Sequence, residues 1–183
     1  MPRSKSLTVL LVTALTVVAS GVGLSAATAA SGQSNHQSRA TGSRSPYRSP
    51  ELWATINVCN PKNAPDVVGV RGSMPGDGQA KDTMEMRFRL QYYEETTRKW
   101  VDLGHGADSG LLPVGPASTV RQYGRSFTLA APTRAIKLRG LVSFEWLRGK
   151  RVVYSTERVT SAGRKSLAGA DPTGYSAATC LLS

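Results

Sequence analysis

The sequence predicts an all-β fold, an antiparallel β-sandwich, and three observations point there. Apolar residues recur at every second position in two long runs. Glycine- and proline-bearing turns separate those runs from shorter β-rich ones. No stretch carries an apolar stripe of helical period and helix length. The folded part is expected over residues 51–183, and 133 residues suffice for two sheets around one core. Internal repeats are absent, which argues against a propeller or a solenoid.

The run 84–93 is the clearest. Met84, Met86, Phe88, Leu90 and Tyr92 fill the even positions, and Glu85, Arg87, Arg89 and Gln91 the odd ones. A helix would put Met84, Arg87, Phe88 and Gln91 on one face and mix charge with core. A strand with one dry and one wet face accounts for the pattern instead. The run 136–146 repeats it, with Ile136, Leu138, Val142, Phe144 and Trp146 facing one way and Lys137, Arg139, Ser143 and Glu145 the other. Gly140 interrupts that apolar row and predicts a bulge or the close approach of another strand. Leu147-Arg148-Gly149-Lys150-Arg151 then reads as a hairpin turn into 152–160.

Shorter strands are expected at 52–58, 67–74, 99–103 and 120–129. Pro75-Gly76-Asp77-Gly78 is a turn, because proline presets the opening dihedral and glycine supplies positive φ. Residues 104–118 hold four glycines and two prolines and are expected to form a long loop. The tail from 160 to 178 is rich in Ser, Gly and Ala, with a turn at Asp171-Pro172-Thr173-Gly174.

Ahead of the folded part, residues 1–29 read as a secretory signal peptide. Arg3 and Lys5 form its basic start, 7–24 its uncharged core, and Ala27-Thr28-Ala29 its cleavage site. The core is long enough that an uncleaved membrane anchor is the alternative. There is no arginine pair and no nearby cysteine, so the general export route is expected, without a lipid anchor. Residues 30–50 are polar, hold three arginines and no branched aliphatic side chain, and read as a flexible tether. Such a coil spans on the order of 25 Å.

The chain of 183 residues has 23 basic and 12 acidic side chains, a charge of +11. Without the signal segment the charge is +9, and residues 51–183 alone carry +6. A basic protein outside the cytoplasm is matched to acidic envelope polymers or another secreted protein rather than to nucleic acid. Two cysteines and two histidines are too few for most structural zinc sites or an iron–sulfur cluster. In an exported chain the pair Cys59 and Cys180 reads as a disulfide, with a reactive or metal-binding pair as the alternative. With 120 residues between them, such a bridge would clasp the first strand to the C-terminal tail rather than pin two sheets as in antibody domains.

Several runs together resemble a group of uncharacterised secreted proteins of GC-rich actinobacteria. They are Trp53-Ala54-Thr55-Ile56-Asn57-Val58-Cys59, Val68-Gly69-Val70-Arg71 with Met74-Pro75-Gly76, and Met86-Arg87-Phe88-Arg89. Arg139-Gly140-Leu141-Val142 with Phe144 and Trp146 follows, and then Asp171-Pro172 and Gly174-Tyr175-Ser176 up to Cys180. The resemblance covers most of 51–183 and implies a secreted immunoglobulin-like or fibronectin-III-like sandwich with one terminal disulfide. It carries over no catalytic residues and no cofactor.

Candidate sites are few. His105, Asp108 and Ser109 place the three residue types of a hydrolase triad in one glycine-rich loop, 104–110. Such close neighbours seldom meet the geometry, whose members come from separate elements. Glu94, Glu95 and Glu145 give no pair set across a cleft. Asp77 and Asp82 flank a turn without a calcium-loop pattern. No nucleotide or phosphate loop is present. Arg87, Arg89, Lys137 and Arg139 would share the wet face of neighbouring strands. They form either a basic surface for acidic polymers or one side of cross-strand charge pairing with Glu85 and Glu145. Trp53 and Trp100 could face a sugar ring or pack inside. The expected function is therefore a non-enzymatic secreted interaction module with no cofactor and no metal. A cryptic hydrolase using the 104–110 loop and a secreted protease inhibitor are the alternatives.

Overall fold

The computed structural model describes residues 45–165 and 168–183. The predicted signal peptide and residues 30–44 of the predicted tether lie outside the described residues. A short 3-10 turn, Pro46–Arg48, precedes nine strands: β1 Trp53–Cys59, β2 Val67–Met74, β3 Gln79–Glu94, β4 Lys99–Asp102, β5 Asp108–Ala117, β6 Arg121–Thr128, β7 Ile136–Arg148, β8 Arg151–Val159 and β9 Cys180–Leu182. They form two antiparallel sheets. The small one has the order β1-β2-β6. The large one is built on β3 and β7, with β5 and β4 end to end along the outer edge of β3 and β8 and β9 along that of β7.

The period-two pattern places the core between the sheets. Met84, Met86, Phe88 and Leu90 of β3 and Leu138, Val142, Phe144 and Trp146 of β7 are buried, facing Ala54 and Ile56 of β1 and Val68, Val70 and Met74 of β2. Each such side chain contributes about 1.5–3 kcal/mol by leaving water. The Trp146 indole N–H donates to the Pro75 carbonyl at 2.9 Å, so the one polar atom of that buried ring is satisfied. Gly140 marks a close approach, as its place in the apolar row implied. A Cβ there would lie 2.7 Å from Thr160 Cγ2 and 2.8 Å from Val70 Cγ1. The hairpin turn between β7 and β8 is Gly149-Lys150, with Gly149 at φ 61°.

Both faces of the small sheet are covered. Its outward residues Trp53, Thr55, Asn57 and Ser73 are buried as fully as the core, because the segment between β8 and β9 lies over them. Ile56 exchanges two backbone hydrogen bonds of 2.9 Å with Ala177. Ser161 N–H donates to the Ala54 carbonyl and Asp171 N–H to that of Asn57. The Asn57 amide donates to the Gly169 carbonyl at 2.8 Å, and Arg71 reaches the Ala168 carbonyl at 2.6 Å. The tail is thus a third, irregular layer that also pairs the free edge of β1. The predicted turn at 171–174 is present, with Tyr175 N–H donating to the Pro172 carbonyl.

Cys59 and Cys180 form the disulfide, with Cα atoms 5.5 Å apart. The bridge does clasp the first strand to the last, but Cys59 ends β1 of the small sheet while Cys180 starts β9 on the large one. It therefore joins the two sheets as well, contrary to the contrast drawn from sequence separation alone.

Two further expectations need correction. The stretch 104–118 is not a long loop, since Asp108–Ala117 is strand β5. Its prolines fit because β5 is an edge strand, where a missing N–H costs no ladder bond on the open side. Gly110 at φ 64° and Gly115 at φ 118° accompany three register shifts against β3. Packed chain also begins before Glu51. Pro46 is buried, and the Tyr47 ring sits edge-on to Trp146 and Tyr154, with centroids 6.3 and 5.7 Å away. One aromatic side chain with a receptive groove anchors a segment whose average composition reads as coil.

Candidate functional site

The wet face of the large sheet gathers the candidate cations. Register sets Arg87 opposite Ser143, Arg89 opposite Leu141 and Gln91 opposite Arg139. Beyond β3, Gln91 meets Asp102 and Tyr93 meets Trp100; beyond β7, Ser143 meets Glu157 and Lys137 meets Leu181. All four predicted residues, Arg87, Arg89, Lys137 and Arg139, share this face, and three of them are engaged within the molecule.

Arg87 makes a bidentate pair with Asp108, its Nε donating to Oδ1 at 2.9 Å and its Nη2 to Oδ2. Those hydrogen bonds hold the Asp108 carboxyl down at about 2 and push the Arg87 guanidinium up. Arg89 lies between Asp102 (3.4 Å) and Glu157, and also donates to the Ser143 hydroxyl. Gln91 donates from Nε2 to Asp102 Oδ1 at 2.8 Å and accepts from Arg139 Nε at 2.8 Å. The Arg139 guanidinium sits 4.4 Å from the centre of the Trp100 ring, and Trp100 lies 5.3 Å from Tyr93. A continuous network thus runs Glu157–Arg89–Asp102–Gln91–Arg139–Trp100–Tyr93 across three strands on one face and onto a fourth. Burial lowers the Arg139 pKa, as expected of a cation held against an aromatic face. Lys137 is exposed.

Sequence reasoning placed the cations and missed their partners. Asp102, Asp108 and Glu157 lie on or beside other strands, so only the strand order reveals which carboxylate meets which arginine. Glu85 does stand opposite Glu145 across β3 and β7, two like charges rather than the compensating pair with the arginines.

The residues of the hydrolase alternative are not brought into a relay. The Ser109 hydroxyl accepts from Phe88 N–H at 2.9 Å and donates to the Gly110 carbonyl at 2.7 Å. Both Asp108 oxygens face Arg87, and Oδ1 also accepts from Gly110 N–H. His105 is exposed on the rim of a cleft of about 160 Å³ that Arg87, Arg89, Asp102 and Asp108 also line. These side chains position one another and leave no hydroxyl poised on an imidazole.

Asp82, with a side chain 1% exposed, takes a bidentate pair from Arg148 at 3.0 and 2.8 Å, and Arg148 draws its pKa down. Asp77 Oδ1 accepts from Gln79 N–H at 2.8 Å, and burial raises its pKa. Among the described residues no group of three or more His, Cys, Asp and Glu side chains is set to hold a metal. Trp53 is buried, with the Arg164 guanidinium 5.4 Å from its ring centre, so Trp100 is the tryptophan on the wet face.

Compared with known proteins, the chain matches no family model and no curated protein.

Proposed function

We propose that this chain is a non-catalytic binding module, exported by its 1–29 segment, that holds an acidic polymer of the cell envelope on the wet face of its large sheet. The sandwich is of the immunoglobulin-like or fibronectin-III-like kind, in keeping with the secreted actinobacterial proteins it resembles. The observation that carries the proposal is the shelf formed by Tyr93, Trp100 and Arg139. It sets a half-exposed aromatic surface beside a cation and the Gln91 and Asp102 hydrogen-bonding groups. Aromatic faces stack on sugar rings, a guanidinium pairs with carboxylate or phosphate, and a pre-oriented side chain loses little entropy on binding. Arg87 and Arg89 act as scaffold here, their charge balanced by Asp108, Asp102 and Glu157, while exposed Lys137 extends the positive side of the shelf.

Retention of the purified protein on isolated envelope material, at low and at raised salt, tests this. Retention at low salt, release by salt, and loss in both Trp100→Ala and Arg139→Gln are expected. No retention at any ionic strength, or retention indifferent to both substitutions, would sink the proposal.

A further inference from the structure

Every long sheet edge but one is blunted. The C-terminal tail covers β1, β4 and β9 are four and three residues long, and Pro113 and Pro116 interrupt β5. Tyr47 crosses β8, its hydroxyl accepting from Ser155 N–H at 3.2 Å and its carbonyl from Arg158 at 2.9 Å. β6 differs. Its eight residues hold no proline, and their register with β2 runs without a shift from Val67↔Thr128 to Met74↔Arg121.

The direction of its free backbone groups follows from the ladder. Leu129 N–H donates to the Asp66 carbonyl, one step beyond Val67↔Thr128. Alternation then turns the N–H and C=O of Tyr123, Arg125 and Phe127 toward β2, and those of Gln122, Gly124, Ser126 and Thr128 away from it. Among the described residues, no backbone hydrogen bond outside the ladders reaches these four. An unpaired row of this length is a template for an added strand.

Side chains define what that strand carries. Arg121, Tyr123 and Arg125 alternate on one side of β6; Tyr123 is 43% exposed and Arg125 is exposed. Neither arginine has a carboxylate within salt-bridge distance among the described residues, whereas Arg87, Arg89 and Arg148 each have one. We propose that β6 is an acceptor edge for an extended peptide segment of a partner protein that carries two acidic residues flanking an apolar one at alternate positions. These contacts fall at the non-hydrogen-bonded pairs, where Cα atoms approach to about 4.5 Å and side chains are closest. The acidic residues meet Arg125 and Arg121, and the apolar one covers Tyr123. A second copy is a poor occupant: two-fold pairing about Gly124 lines up four guanidinium groups along one seam with no carboxylate. The edge belongs to the small sheet, so the proposal does not depend on the Trp100 shelf.

The test uses the purified chain and a blocked, dye-labelled peptide, Val-Thr-Glu-Thr-Val-Thr-Glu-Thr, with a Lys-for-Glu version as control. Saturable binding is expected by fluorescence anisotropy, with none for the lysine peptide. Arg125→Glu, a change on an exposed side chain, is expected to weaken binding about tenfold or more. Ser126→Pro removes one outward N–H, leaves the bonds to β2, and is expected to abolish binding. Amide exchange at Gln122, Gly124 and Ser126 slows on binding. Absence of binding, equal binding of the lysine peptide, indifference to both variants, or protection confined to other strands would overturn the proposal. So would a dimer formed without peptide and lost in Ser126→Pro, which would assign the edge to self-association.

Discussion

The hydroxyls of Thr55 and Ser176, 121 positions apart in the chain, lie 2.8 Å from each other. Thr55 belongs to the outward side of β1, where an ordinary sandwich meets water; here it is fully buried under the tail. That contact explains why polar Thr55, Asn57 and Ser73 sit inside a protein whose core needs none of them. The small sheet has two interfaces, one apolar against the large sheet and one hydrogen-bonded against the tail.

The disulfide holds that second interface. Replacing Cys59 and Cys180 by serine frees a closure of 121 residues, and a loss of about 3–5 kcal/mol is expected from the chain-entropy model. Denaturant titration measures it. Hydrogen exchange locates it, with the amides of Asp171 and Ala177 losing protection before those of β3 and β7. Uniform loss across all strands would show that the tail is not a separate layer.

Gly140 is the tightest point between the sheets. Gly140→Ala puts a methyl group where Thr160 Cγ2 and both Val70 methyls already stand within 3 Å, and a cost of about 1–3 kcal/mol is expected. Val70→Ala in the same chain then recovers part of it, so the two changes couple rather than add. Strict additivity in the unfolding free energies would refute the close approach.

Ser109 and His105 separate a structural loop from a catalytic one. Ser109→Ala unpairs the Phe88 amide and is expected to cost about 1–2 kcal/mol, while His105→Ala stays within about 0.5 kcal/mol of the parent. A panel of esters and peptides accompanies the stability measurements. Turnover abolished by either substitution would revive the hydrolase alternative.

Acid weakens the wet face in a defined window. The Asp108 carboxyl sits at about 2 in the folded chain against 3.8 in the unfolded one, so the unfolded state binds the extra proton between those values. The contribution of this pair is present above pH 4 and is lost as pH falls through 2. Asp108→Asn removes that part of the pH dependence; stability curves of parent and variant that stay parallel from pH 5 to 2 would contradict the pairing with Arg87.

Much of the molecule is legible in the chain itself. β3 and β7 each have one dry face, so strict alternation writes them into the sequence, and Gly140 stands out against it. β5 does not show, because an edge strand tolerates Pro113 and Pro116 and its glycines mimic a loop. Tyr47 does not show either, since one anchoring ring is lost in the average of a polar segment. Arg87, Arg89, Lys137 and Arg139 were placed on one face by period alone.

What the chain determined by itself is therefore local: strand period, turn chemistry, and two cysteines that an oxidising compartment would join. Tertiary structure alone decided that the arginines meet Asp108, Asp102 and Glu157, that Trp100 lies under Arg139, that the tail roofs the small sheet, and that β6 is left unpaired. Side-chain period is a property of neighbours along one strand. Partner choice depends on strand order and register, which are set by how whole sheets bury their faces.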